Sequence, residues 1–289
     1  MTLYHLDAPD DLDGPVFIAA FDGWVDGGKA GTLAAAVLAD AGSVIATFDG
    51  DLLFDYRARR PTLDIIDGKL VDLDWPALTL SRARVAERDL LVLTGAEPDF
   101  RWREFTTQVV GLARQLGVSS WVSLGAIPAT VAHTRPVPIL GTSSAPGLLP
   151  AGVTQGPAGN LRVPSAAISV LELAAARAGI PAIGFYAQVP HYASGAFPNA
   201  AIELLKRVGQ SLDVELPLGA LPQQALETRT LLDAAVAADE RTSSYVQRLE
   251  QMSDEARLPS GDDLIADIER FLRDGGDDDD GGNGGSRLN

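Results

Sequence analysis

Three short clusters hold the side chains best suited to chemistry. Residues 95–99 (GAEPD) contain Glu97, residues 132–136 (AHTRP) contain His133 and Arg135, and residues 190–192 (PHY) contain His191. A carboxylate and an imidazole near one point can move a proton to and from a substrate. Glu97, His133 and His191 are therefore the candidate catalytic residues, with Arg135 as an anion anchor. The same groups could instead satisfy turn backbone, with the neighbouring prolines fixing the loops.

A fourth cluster lies earlier in the chain. The spacing Gly23-x-x-x-x-Gly28-Lys29-Ala30 comes within one residue of the phosphate loop G-x-x-x-x-G-K-[ST]. Ala30 has no hydroxyl for Mg²⁺, and Asp26 puts a negative charge where phosphates would lie. The loop is then either a tight turn or a cradle for another ligand, with Gly23, Trp24, Asp26, Gly28 and Arg135 as candidate ligand-binding residues. Arg57, Arg59 and Arg60, in the run DYRARRP, could hold phosphate or carboxylate bidentately, but an interface role between subunits is favoured. Ser123, Ser143, Ser144, Ser165 and Ser194 lie outside any G-x-S-x-G elbow. His133 and His191 lack a paired ligand spacing, so no metal is expected, and no motif calls for a cofactor.

These clusters need a scaffold that gathers strand ends. Short apolar runs at residues 16–21, 44–48, 90–94, 121–124, 137–141 and 182–189 have the length of buried strands. Helical patterns fall at residues 29–39, 101–116, 166–177 and 200–212. Asp67-Gly68, between apolar runs, predicts a hairpin, and residues 77–85 a further strand, so residues 52–88 read as antiparallel additions to, or an insertion on one side of, a main sheet. This rhythm predicts a three-layer α/β/α fold with a mixed, largely parallel sheet, phosphorylase- or hydrolase-like, over residues 1–218. The four polar clusters would then share the rim at the carboxyl ends of its strands.

From residue 219 the strand patterns stop. Helices are expected at residues 223–238, 239–252 and 262–273, the last after a capping context at Ser260, forming a C-terminal helical appendage over residues 219–273. Residues 274–289 form a Gly/Asp tail that is expected to be solvated and disordered.

The 289-residue chain carries a formal charge of −16, which argues against nucleic acid or an anionic membrane as partner. It has no Cys, which removes disulfides, thiolate sites and Cys nucleophiles. The acidic start MTLYHLDAPDDLDG lacks a signal pattern, and no apolar stretch approaches a membrane span, so a cytoplasmic protein is expected.

The order GWVDGGKAG, DYRARRP, GAEPDFRW, LGAIPATVAHTRP, QGPAG, GFYAQVPHY, SYVQRLE and LPSGDDLIADIERFLRD resembles the proteasome assembly chaperone two family, most closely its actinobacterial branch. The resemblance spans about residues 16–273. It implies a nucleoside-phosphorylase-like α/β/α domain with C-terminal helices and a non-enzymatic role, since eukaryotic relatives pair with a second chaperone and help assemble the proteasome α ring. It transfers no catalytic set. It suggests a homo-oligomer, with a further protein partner in a proteasome-like or other complex. Some members end in hydrophobic-Tyr-any residue, whereas this chain ends Ser286-Arg287-Leu288-Asn289. The alternative is a small-molecule enzyme or binding protein for a nucleoside- or phosphate-type ligand.

Overall fold

The computed structural model describes residues 2–255, apart from residues 8, 10 and 158. The expected helix at 262–273, its cap at Ser260 and the Gly/Asp tail lie outside the described residues. The strands are β1 (Tyr4–Leu6), β2 (Val16–Asp22), β3 (Gly42–Phe48), β4 (Thr62–Ile66), β5 (Lys69–Asp74), β6 (Leu78–Val85), β7 (Arg88–Ala96), β8 (Ser120–Ala129), β9 (Ile139–Ser143), β10 (Thr154–Gln155) and β11 (Ala182–Pro190). The helices are α1 (Ala30–Asp40), α2 (Gly50–Leu53), α3 (Trp102–Gln115), α4 (Ala167–Arg177), α5 (Pro198–Leu212), α6 (Leu221–Ala237) and α7 (Glu240–Glu255).

One sheet has the order β1-β3-β6-β7-β2-β8-β11-β9-β10. Its centre, β7-β2-β8-β11, is parallel; β6, β3 and β1 add on antiparallel at one side, and β9 pairs antiparallel with β11 at the other. β2 is buried from Val16 to Phe21 without alternation, because both faces of the sheet are covered by helices. On one face α3 and α4 close over a core that includes stacked Phe17 and Trp121, with ring centroids 4.4 Å apart. On the other, α1 and α5 bury Ile18, Leu38, Phe185 and Leu204. The mixed three-layer architecture expected from the sequence is therefore present. The short edge strand β1 has no sequence signal: three residues cannot display a period.

The additions between β3 and β7 divide. β6 joins the main sheet, whereas β4 and β5 form a separate two-stranded hairpin that turns at Asp67-Gly68 and is exposed along its whole length. At the C-terminus, α6 packs on α5 and turns into α7, which returns to the rim of the sheet.

Candidate functional site

Because β2, β7, β8 and β11 are parallel, the loops after them emerge along one edge. Trp24 follows β2, Glu97 follows β7, His133 follows β8 and His191 follows β11. The four residues share a rim, yet they gather into two groups that lean toward opposite helical layers.

Glu97 leans toward α4. Its Oε2 accepts the Trp24 backbone N–H at 3.1 Å, and its Oε1 accepts the Ala167 N–H at the start of α4 at 2.7 Å. A carboxylate at a helix N-terminus is favoured by the helix dipole. Gly23 leaves room for it: a Cβ there would stand 2.2 Å from Glu97 Oε2. Arg59 completes this group by donating to the carbonyls of Asp22 and Glu97 at 3.3 and 3.4 Å. Arg57 and Arg60 are exposed.

The Gly-rich loop is filled by its own side chain. Gly28 takes φ +62°, which lets the chain turn into α1, and Asp26 folds back over that helix. Asp26 Oδ1 accepts from the N–H of Gly31 at 2.7 Å and of Thr32 at 3.3 Å, while Oδ2 accepts the Thr32 hydroxyl at 2.5 Å. The backbone donors that a phosphate would use are thus taken by a buried carboxylate. Burial pushes the Asp26 pKa up, against the hydrogen bonds from Thr32 and Gly31. Trp24 stands beside this loop, 74% exposed.

His133 leans the other way and is 2% exposed. Its Nδ1 lies 2.7 Å from the Tyr192 hydroxyl, which also accepts the His133 backbone N–H at 2.9 Å. Its Nε2 lies 3.0 Å from Asp233 Oδ1 on α6. Proton on Nε2, donated to Asp233, and Tyr192 O–H donated to Nδ1 satisfy every partner at once. Burial pushes the Tyr192 pKa up. Asp233 is also gripped by Arg229 at 2.8 Å; burial would raise its pKa, but the bonds from Arg229 and His133 outweigh it and hold the group low.

Arg135 grips α7. It donates to both carboxylate oxygens of Asp254 at 2.8 and 2.7 Å and approaches Glu250 at 3.4 Å, and Thr134 also bonds Glu250. The guanidinium expected to anchor an anionic ligand is occupied by two carboxylates of the chain. His191 bonds the Ala129 carbonyl at 3.1 Å and meets Tyr245 of α7 edge-on, with centroids 5.7 Å apart. The expected acid–base set therefore splits: the histidines share an aromatic cluster with Tyr192 and Tyr245, while Glu97 is spent on backbone at α4. Of the residues that complete the cluster, Tyr245 and Glu250 lie in the SYVQRLE motif of the family resemblance, whereas Asp233 and Asp254 gave no sequence signal beyond the helical patterns that carry them.

Among the described residues no serine hydrogen-bonds a histidine; Ser123 accepts the Trp121 indole N–H and Ser144 accepts the Ala182 backbone N–H. No group of three metal-ligating side chains and no helix long and apolar enough to cross a membrane occurs among the described residues. Beside the rim lies an open crevice. α1 and α3 leave the neighbouring strands β2 and β7 on opposite faces, the arrangement that opens a ligand site in α/β sheets. The crevice, about 510 Å³, lies on the α1 side of that point, over β6, the end of β7 and the foot of the hairpin, and is lined by Asp22, Thr32, Arg59, Arg60, Asp74 and Trp75 among others.

The family model for the PAC2 family matches residues 20–236, most of this scaffold and all four rim clusters. The chain belongs to the PAC2 family. Solved structures agree. A Mycobacterium tuberculosis proteasome-assembly chaperone homologue is 37% identical over 80% of this chain and 99% of its own, with a TM-score of 0.72. A protein of unknown function from the same organism is 34% identical over 93% of this chain and 92% of its own, with a TM-score of 0.82. A Pyrococcus furiosus archaeal proteasome activator shares the PAC2 fold at 16% identity, covering 80% of this chain and 97% of its own, with a TM-score of 0.63. No curated protein sequence matches the chain.

Proposed function

We propose that this PAC2 protein is a non-enzymatic interaction protein that works like a proteasome assembly chaperone, binding subunits of a proteasome-like complex. One observation carries the reading: the polar rim groups that could have formed a catalytic centre hold the chain's own structure. Asp26 caps α1, Glu97 ties the β2 loop to α4, and His133 and Arg135 clasp α6 and α7. A rim closed in this way offers surface rather than a reaction chamber. Affinity purification of the tagged full chain from its native cells, with quantification of what co-elutes, is expected to return proteasome α-ring subunits in stoichiometric amount. Recovery of the chain's own oligomer alone would overturn the proposal.

The crevice over β6 and the end of β7 supports a second reading, binding of a small anionic ligand by Arg59 and Arg60. A thermal-shift screen of phosphate, nucleosides and nucleotides tests it, since a ligand at 100 times its Kd adds about 2.7 kcal/mol of stability. An unchanged midpoint with every compound removes this reading and leaves the first standing.

A further inference from the structure

Toward the β9 side of the sheet, α4 overhangs a cavity of about 190 Å³ that neither the rim nor the crevice uses. Bare strand positions make the room. In the register, Gly184 of β11 faces Thr142 of β9, and Gly125 of β8 faces Tyr186 of β11. A Cβ on Gly184 would stand 2.4 Å from Thr142 Oγ1 and 2.5 Å from Glu172 Oε2, and one on Gly125 would stand 2.8 Å from the Tyr186 ring. The two glycines let the Tyr186 ring lie down over the sheet and let Glu172 reach it from α4.

Glu172 brings the one formal charge to this cavity. Thr142 donates to its Oε1 at 2.5 Å and Tyr186 to its Oε2 at 3.2 Å. Among the described residues no Lys, Arg or His pairs with it. Burial, and then the Glu172 carboxylate, pushes the Tyr186 pKa up, so the phenol stays a neutral donor; Ser169 bonds the same hydroxyl. The remaining lining is Ser143, Ser144, Leu173, Ala176 and Ala182, none of it charged. Each oxygen of an ionised carboxylate offers about two lone-pair sites, so Glu172 can accept beyond its two hydroxyl bonds. A half-buried carboxylate without a countercharge is costly, and a cation seated beside it removes that cost.

We propose that this cavity binds a small primary ammonium ion carried on a short alkyl chain. The ammonium donates to the free lone pairs of Glu172 and to the neighbouring hydroxyl oxygens, and the alkyl chain lies against Leu173, Ala176 and Ala182. One positive charge answers one negative charge. A bare alkali ion leaves most of the space to water, since a water takes about 30 Å³. A divalent metal calls for more carboxylates than the single one here. A ligand bearing phosphate or carboxylate is disfavoured, because no lining side chain is a cation. The site is separate from the rim and from the crevice, and it rests on neither reading of the function.

Isothermal titration calorimetry of the full chain with n-butylammonium chloride, at neutral pH and constant ionic strength, tests the proposal. Binding at one site is expected, with a Kd of about 1 mM. Glu172→Gln keeps an acceptor for the hydroxyls but removes the charge, and is expected to weaken binding about ten- to a hundredfold. Ala176→Leu fills the apolar end and is expected to weaken n-butylammonium about tenfold while leaving methylammonium unaffected. Circular dichroism matching that of the native chain checks that each variant is folded. No saturable binding up to about 100 mM, a hundred times that Kd, overturns the proposal. Equal binding of 1-butanol overturns it by showing that charge plays no part, and equal binding of tetramethylammonium by showing that N–H donors play none. Equal binding of potassium chloride would mean that only a bare ion is held, and a Glu172→Gln chain that binds like the native one would place the amine elsewhere; either result overturns it as well.

Discussion

Asp26 shows how little separates a ligand site from a structural one. Its carboxylate fills the space at the start of α1 that a phosphate would occupy, and it is buried there against two backbone N–H groups and a hydroxyl. Asp26→Ala leaves those buried donors without an acceptor and is expected to cost about 1–3 kcal/mol in urea unfolding. Asp26→Asn keeps the acceptor for Gly31, and the Thr32 hydroxyl can reverse to accept, so its cost at neutral pH should be well below that of the alanine variant. The pH dependence separates charge from hydrogen bonding. Burial raises the folded pKa above the unfolded value, so the folded state binds the proton more tightly. The native protein should then gain stability relative to Asp26→Asn as pH falls through the folded pKa, and lose that advantage as pH rises through it. A difference that does not change with pH would show that the carboxylate carries no burial penalty. The spacing around Gly23 and Gly28 was legible in the sequence, and so was the conflict between Asp26 and a phosphate. That Asp26 turns back onto Gly31 and Thr32 is a loop geometry the spacing does not display, and that Gly23 stays bare so that Glu97 fits depends on a contact 73 residues apart in the chain; neither was legible.

The central strands and the helices that cover them were legible because each is a self-contained pattern: an unbroken apolar run for β2, β7 and β11, an apolar stripe for α3 and α5. The clasp of α6 and α7 onto the rim was not, because its members lie 100 or more residues apart, as His133 and Asp233 or Arg135 and Asp254 do. Arg135 was legible as a cation in a rim loop, but nothing local says that α7 supplies the anion. The clasp has unequal parts. His133 is buried and bonded on both sides, whereas Arg135 and Asp254 are partly open to water, where an ion pair is worth about 0–1 kcal/mol. Arg135→Ala should therefore leave global unfolding almost unchanged while loosening α7 alone. Hydrogen exchange in residues 240–255 is expected to speed up several-fold, with β2 and β7 unaffected, because local opening needs only the free energy of the contacts broken. Faster exchange throughout the sheet would mean that α7 belongs to the cooperative core.

At the scale of the molecule, the β4–β5 hairpin stands apart from the main sheet, so its contribution to folding can be measured by removing it. Its turn at Asp67-Gly68 was plain from the sequence, but its separation from the main sheet was not, since alternation looks the same whichever sheet a strand joins. Thr62 and Asp74 face each other in the register, so removing residues 63–73 and joining those two by Asn-Gly closes the chain with a two-residue turn. All eleven removed residues are exposed, so the monomer loses no core packing, and its unfolding free energy at high dilution should stay within about 0.5 kcal/mol of the native value. At higher concentration the two proteins should part. If copies of the chain meet through the hairpin, mass action stabilises the folded state, and the native thermal midpoint should rise with protein concentration while that of the shortened chain stays flat. A shortened chain that is less stable by about 2 kcal/mol or more at high dilution would place the hairpin against its own body, since changes confined to exposed positions cost about 0.5 kcal/mol or less. Equal concentration dependence in both proteins would locate the contact between copies away from the hairpin, at a surface such as the Trp24 loop.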